Sequence, residues 1–459
     1  MTSVTSENVK TIYFLDALKL FIETQWLYNT PVTDLLTADL LDLFPKEWLH
    51  VLQILENEDL NDFVVNRKIK PQWPESLRLF VEKCEHIDQL PIIDTVLAAE
   101  LPKHFQTGLS RKKQHEIMHL AHLVHEQCVS ENIKVIVDLG AGLGYICQLL
   151  HHLYGYKVLG LEKKKETVNN VQNRQMKMFP DSLTYVKYSH CDLTHNSAEI
   201  IETILLNKFQ EHSDVCLIGL HACGDLSIDA LKIYRDMKRA RIFIMVSCCY
   251  HKMSVSKSVQ TDTLIKKQYF NNFPLSNYLK TVIRNANFDI GFFLRQPFLR
   301  LACQEPSDRW CNMSIKTHNE HSFHVLARAV LQLYAAKNGF CLIKQTRKGT
   351  RKSQCLNFET YIKDSLNRYI LQPLKEQDMQ LNLNIHEKNM VELWKSHCNK
   401  LKAVEIYSGL QLMLQAPAES FILQDRLCWM EEQGFDATIV PVMNRHLSPR
   451  SYAIISHKK

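Results

Sequence analysis

Glycine is scarce in this chain, 13 residues in 459, under half its usual share. No apolar run reaches 18 residues, so a membrane-spanning helix is not expected. The first ten residues, MTSVTSENVK, lack a basic stretch followed by an apolar core, and no secretory leader is expected. Cysteine is present 14 times, but without the spacing of a disulfide scaffold. In a chain this long that points to reduced thiols and to the cytoplasm or nucleus. The C-x2-C pairs of a structural zinc site are missing too, so no metal ligand is assigned. A net charge of +6 is compatible with an RNA or nucleotide partner without establishing one.

What remains is ordinary globular composition, 46% hydrophobic and 23% charged, at a length that exceeds one core and implies two or three structural units. Residues 1–108 read as a helical N-terminal region. Phe14, Leu18, Phe21 and Ile22 keep helical spacing there, and Pro71, Pro74 and Pro91 punctuate it. Ser110 is a fitting N-cap for a helix whose apolar stripe is Ile117, Leu120, Leu123 and Val124. From residue 134 the rhythm becomes strand–helix alternation. Strands are expected at 134–139, 157–161, 184–189, 214–220 and 241–247, with helices near 144–153, 164–178, 197–209 and 226–238. Starts 23 to 30 residues apart fit right-handed βαβ units and a parallel sheet covered on both faces. Residues 109–250 would form this domain. Residues 251–414 read as a mostly helical insertion, and 415–459 as a helix (418–433, stopped by Gly434) and an antiparallel hairpin (435–442, 451–457) completing the sheet.

Five of the thirteen glycines, Gly140, Gly142, Gly144, Gly155 and Gly160, fall within 21 residues. The first three lie in KVIVDLGAGLGY, a strand, a tight turn and the start of a helix. Such a turn brings backbone N–H groups close to a ligand. The spacing misses G-x-G-x-x-G, and Asp138 at the strand end would repel a pyrophosphate. A carboxylate there suits a ligand with an ammonium group, as S-adenosylmethionine has. Glu162, at the end of the next strand, can accept from both ribose hydroxyls, and Asp192, after the third, can hold the adenine amino group. The bland alternative makes these three acids caps and turn residues. Gly140, Ala141, Gly142, Gly144, Asp138, Glu162 and Asp192 are the expected cofactor set.

Strands four and five run into GLHACGDLS (219–227) and VSCCYHKMS (246–254), at the strand ends where such sheets bind their ligands. Three chemistries compete. His221 or Asp225 could orient or deprotonate an acceptor, with His221 also bordering the cofactor. Cys223 or Cys248 could attack a pyrimidine covalently. Cys223, Cys248, Cys249, His221 and His251 could take zinc. Close packing of small, soft side chains is the plain alternative for the cysteines.

The stretches RKKQHEI (111–117), VDLGAGLGY (137–145), GLHACGDLS, SCCYHKMS (247–254), LQDRLCWMEEQGF and LSPR (447–450) together resemble the methyltransferase-like protein 25 family, also called ribosomal RNA adenine dimethylase domain-containing proteins. The resemblance implies an α/β fold: a seven-stranded Rossmann-like class I methyltransferase sheet, a helical N-terminal extension and a helical insertion before the C-terminal β-hairpin. It implies S-adenosylmethionine as cofactor. HACGD and CCYH are also similar to motifs of a eukaryotic tRNA ribose methyltransferase family, which implies tRNA or rRNA as substrate. The Asn-Pro-Pro-Tyr run of adenine-N6 enzymes is replaced by His-Ala-Cys-Gly. In RKKQHEI, Lys113 or Lys112 would pair with the cofactor carboxylate. The stretch KQTRKGTRK (344–352) reads as a solvated loop, an RNA-phosphate contact or a nuclear localisation signal. The expectation is methyl transfer from sulfonium to a nucleophile on RNA. A protein or small-molecule methyltransferase and a non-catalytic adaptor are the rival classes.

Overall fold

The computed structural model describes residues 2–92, 101–257, 267–306, 308–346, 357–374 and 383–458. Five parallel strands alternate with helices: β1 (Val135–Leu139), β2 (Lys157–Glu162), β3 (Val186–His190), β4 (Val215–Ala222) and β5 (Ala240–Ser247). A separate two-stranded ribbon pairs β6 (Phe340–Lys344) with β7 (Tyr369–Pro373), antiparallel. The sheet closes with β8 (Ala437–Pro441) and β9 (Tyr452–His457), giving the order β3-β2-β1-β4-β5-β9-β8, in which β9 runs antiparallel to both neighbours. The chain reverses direction across the sheet between β1 and β4, the topological switch at which such sheets open a crevice.

Alternate residues of a strand feed two separate cores. Val135, Val137 and Leu139 of β1 join Phe243 and Met245 of β5 on one face. Ile136 joins Ile242, Ile244 and Val246 on the other. Both faces are dry, which is why these strands read as unbroken apolar runs. The helix Arg111–Ser130 buries Ile117, Leu120 and Val124 as its spacing predicts, and Ser110 Oγ accepts from Lys113 N–H at 3.3 Å.

Several expectations shift. Strand β3 starts at Val186 because Pro180–Thr184 forms a 3-10 turn. The C-terminal helix is not 418–433 but Leu401–Glu432, with Pro417 inside it. Ile22 is exposed while Phe14, Leu18 and Phe21 are buried. The mostly helical segment 251–414 also contains the β6–β7 ribbon. Of the basic stretch 344–352, residues 347–352 lie outside the described residues. Among the described residues no helix is long and apolar enough to cross a membrane.

The chain's compact units also differ from the four expected segments. One holds residues up to 19, 86–309 and 415–459; the other holds 20–85 and 310–414. Asp425 accepts from Leu275 N–H at 2.7 Å and Ser276 N–H at 2.9 Å, tying part of the expected insertion to the sheet unit. In the second unit Asn61 donates to Met313 carbonyl at 2.9 Å and accepts at His318 Nε2, 2.8 Å away. Rhythm in a sequence marks where element types change; packing joins segments that are distant along it.

Candidate active site

The site begins in the turn after β1. Gly140, Gly142 and Gly144 all have positive φ, at 93°, 55° and 67°, a region that side chains other than glycine's enter at a cost. Gly140 and Ala141 N–H both donate to Leu161 carbonyl, at 3.0 and 2.9 Å. Gly142 N–H donates to Glu162 Oε2 at 3.2 Å, and Lys164 N–H to Oε1 at 3.0 Å. Glu162 therefore fixes the loop as well as facing it. Asp192 follows β3 and is exposed, 3.0 Å from Lys163 Nζ. Cys191 N–H donates to Glu162 carbonyl at 3.0 Å, which brings that segment to the β2 tip.

Asp138 is 1% exposed and accepts from the Cys147 thiol at 3.2 Å. Burial, with Glu162 charge adding to it, pushes its carboxyl up to about 7. A buried carboxylate met by a thiol rather than a cation is a site that an incoming cation stabilises. The glycine turn, Asp138 and Glu162 thus fit S-adenosylmethionine, with an ammonium for the first acid and ribose hydroxyls for the second. Lys113 lies 4.4 Å above the Tyr145 ring, at the first residue of the helix after the turn, and Arg174 lies 4.1 Å from the same ring. Burial lowers the Lys113 pKa, with Arg174 charge acting in the same direction.

The β4 tip is built differently. His221 has φ 64° at a register shift between Leu220 and Ala222, a conformation that costs a non-glycine residue roughly 1–3 kcal/mol and needs its surroundings to hold it. Glu116 does the holding. Its Oε2 lies 3.0 Å from His221 Nε2, and its Oε1 accepts from Ser448 Oγ at 2.6 Å, with Lys112 Nζ at 3.7 Å. The Glu116 side chain is 2% exposed and the His221 side chain 35%. Burial opposes the charge on Glu116, yet the contacts from His221, Ser448 and Lys112 outweigh it and hold the carboxyl below its ordinary range. An ionised Glu116 fixes the proton on Nε2 and leaves Nδ1 as the basic nitrogen.

Asp225 does not join that pair. Its Oδ2 accepts from Ser254 N–H at 2.9 Å and its Oδ1 from Asn272 Nδ2 at 2.8 Å. It anchors the segment after β5. Cys223 and Cys248 do meet, with sulfurs 2.7 Å apart, and the Cys249 sulfur joins them. The hydrogen bond from Cys248 pulls the Cys223 thiol down to about 5 and drives that of Cys248 up. His251 lies apart from this trio, 3.6 Å from Cys303 Sγ.

Sequence reasoning passed over Glu116, Ser448 and Arg450, although RKKQHEI and LSPR had both been singled out. The third such stretch, LQDR, proves structural. Asp425 caps the segment at 275–276, and fully buried Arg426 donates to Ser227 Oγ at 3.0 Å and to Ser247 Oγ. A cavity of about 510 Å³ lined by Tyr13, Phe14, Leu427, Cys428 and Phe435 includes none of the residues singled out for chemistry.

Residues 112–256 match the methyltransferase-domain family. With the strand order above, they define a class I methyltransferase domain, the type that uses S-adenosylmethionine. The chain is 29% identical over 253 residues to human "probable methyltransferase-like protein 25" and 26% identical over 257 residues to its mouse counterpart. Over this domain it is similar to the methyltransferase-like protein 25 family. The matches cover 54% of this chain but only 37% and 38% of those relatives. Among solved structures, coclaurine N-methyltransferase bound to N-methylheliamine and SAH is 10% identical, with 90% of this chain and 99% of that one covered at a TM-score of 0.25. The methyltransferase domain of bacterial CtHen1 is 15% identical, with 28% and 65% covered at 0.23. Likenesses that slight carry no weight; the strand order defines the fold.

Proposed function

We propose that this chain is an S-adenosylmethionine-dependent methyltransferase whose acceptor is a hydroxyl of RNA, in tRNA or rRNA. The observation that carries the proposal is the Glu116–His221 pair at the β4 tip, beside the glycine turn. Bound S-adenosylmethionine supplies a methyl group already activated by its sulfonium. Asp138 would pair with its ammonium, Glu162 would accept from its ribose, and Lys113, with Arg174 near it, would offer positive charge to its carboxylate. A hydroxyl is a poor nucleophile unless its proton leaves as the methyl arrives. His221 Nδ1 takes that proton, and Glu116 stabilises the imidazolium that results. An uncharged nitrogen can attack through its lone pair and shed its proton afterwards, so a base already poised at the β4 tip favours oxygen. The similarity of HACGD and CCYH to tRNA ribose methyltransferase motifs supports RNA as the carrier of that oxygen.

The test is incubation with methyl-labelled donor and total RNA plus protein extract. Label in RNA that survives alkali as methylated dinucleotides supports the proposal, since a blocked ribose hydroxyl cannot assist strand cleavage. Label confined to protein or to small molecules, or to bases within RNA, overturns it. Binding of the donor with no transfer to any acceptor would leave an adaptor instead.

A further inference from the structure

The thiols at the β4 and β5 tips have no task in the chemistry above. We propose that Cys223, Cys248 and Cys249 form a zinc site. Their three sulfurs lie within 4.8 Å of one another. Tetrahedral zinc with Zn–S bonds of about 2.3 Å spaces its sulfurs about 3.8 Å apart. To reach that spacing the 2.7 Å contact of Cys223 with Cys248 must open by about 1 Å, and no separation has to close by more than about 1 Å. The ligands come from two strand ends and not from a C-x2-C knuckle; of the five residues the sequence offers for zinc, the three cysteines converge.

The backbone around them is fixed before any metal arrives. Gly224 N–H donates to Cys249 carbonyl at 3.2 Å, and Lys252 N–H to the same oxygen at 3.0 Å. Gly224 has φ 58°, and a Cβ there would stand 2.6 Å from Lys252 carbonyl oxygen, so only glycine lets the two tips approach this closely. Beneath them, Arg426 ties Ser227 to Ser247. Charge is matched as well. Three thiolates and one Zn²⁺ sum to −1, and Arg450 Nη2 lies 3.8 Å from Cys249 Sγ while its buried Nε has no hydrogen-bond partner among the described residues. Three soft sulfur donors select zinc over magnesium or calcium. The fourth position is left to solvent, as in open zinc sites. Zinc binding releases the thiol protons to solvent.

The full chain, reduced and stripped with a chelator, is titrated with Zn²⁺ against a chromogenic competitor, and its metal content is read after gel filtration. One zinc per chain is expected, with a Kd below about 10 nM given the usual affinity of thiolate sites. Cys223→Ser, Cys248→Ser and Cys249→Ser should each weaken it at least a hundredfold, while Cys311→Ser should not. Should a serine variant fail to fold, the wild-type chain still decides: zinc must shield residues 223, 248 and 249 from iodoacetamide, mapped by peptide mass. Failure of the folded, reduced chain to retain zinc overturns the proposal. So does shielding at other cysteines, or a Cys223–Cys248 disulfide as the resting state of a chain that takes no metal. None of these readouts depends on methyl transfer.

Discussion

The two halves of the crevice are built from sequence in opposite ways. Beside β1, β2 and β3 the groups proposed to hold the cofactor are local. Asp138 through Gly144 form one uninterrupted run, and Glu162 closes back on Gly142 across a single βα unit. Beside β4 and β5 they are assembled from afar. His221 leans on Glu116, 105 positions earlier, and Glu116 on Ser448, 332 positions later. Cys223 meets Cys248 across 25 positions. A site for a ligand common to many enzymes can be one compact backbone motif. A site for a particular acceptor is fitted together from whatever segments the fold delivers to the same strand tips.

If the halves divide the labour in this way, substitutions should divide too. Glu116→Gln keeps the shape but removes the charge that orients His221. It should lower kcat by roughly a thousandfold, within the range for loss of a positioned acid–base group, and leave the Kd for S-adenosylmethionine unchanged by titration calorimetry. An equal loss of cofactor affinity would break the comparison. On the other side, Asp138→Asn should weaken cofactor binding about a hundredfold, as expected when one partner of a buried charge pair is neutralised. Acceptor affinity should not follow.

A pH series sharpens the same contrast. Burial raises Asp138 to about 7, so the folded chain without ligand holds its proton well above the ordinary carboxyl range. That proton stabilises the fold at low pH, and the contribution is lost as pH rises from about 4 through 7. A bound ammonium favours the ionised form. Cofactor affinity should therefore climb up to about tenfold from pH 6 to pH 8 and level off above that, while Asp138→Asn shows a flat profile. A wild-type profile as flat as the variant's would remove Asp138 from the cofactor site.

The contrast also explains what the sequence alone could and could not reveal. Dry strands, each flanked by a helix, left unbroken apolar runs, and the tight turn left a glycine cluster in a glycine-poor chain. Those signals located β1 to β5, the hairpin and the glycine turn after β1. Glu116 left no comparable mark, being one acid in a helix among many. Only the tertiary approach of helix Arg111–Ser130 to the β4 tip makes it special. Asp225 misled for the converse reason. It follows the glycine of a conspicuous motif, yet both its oxygens are taken by Ser254 and Asn272.

That assignment of Asp225 carries the mildest prediction. Asp225→Ala leaves Ser254 N–H and Asn272 Nδ2 without their acceptor and loosens the segment after β5. Two hydrogen bonds to a carboxylate in a half-exposed setting are worth about 1–3 kcal/mol together, a fall of several degrees in Tm for a unit of this size. The chemistry should barely change, with kcat within about threefold of wild type once the protein is held below its melting temperature. The contrast with Glu116→Gln is what discriminates, because both residues are acids bound at the β4 tip and only one bears on His221. A kcat for Asp225→Ala as low as that of Glu116→Gln, with Tm unmoved, would return Asp225 to the acceptor side and make the β4 tip a two-acid centre.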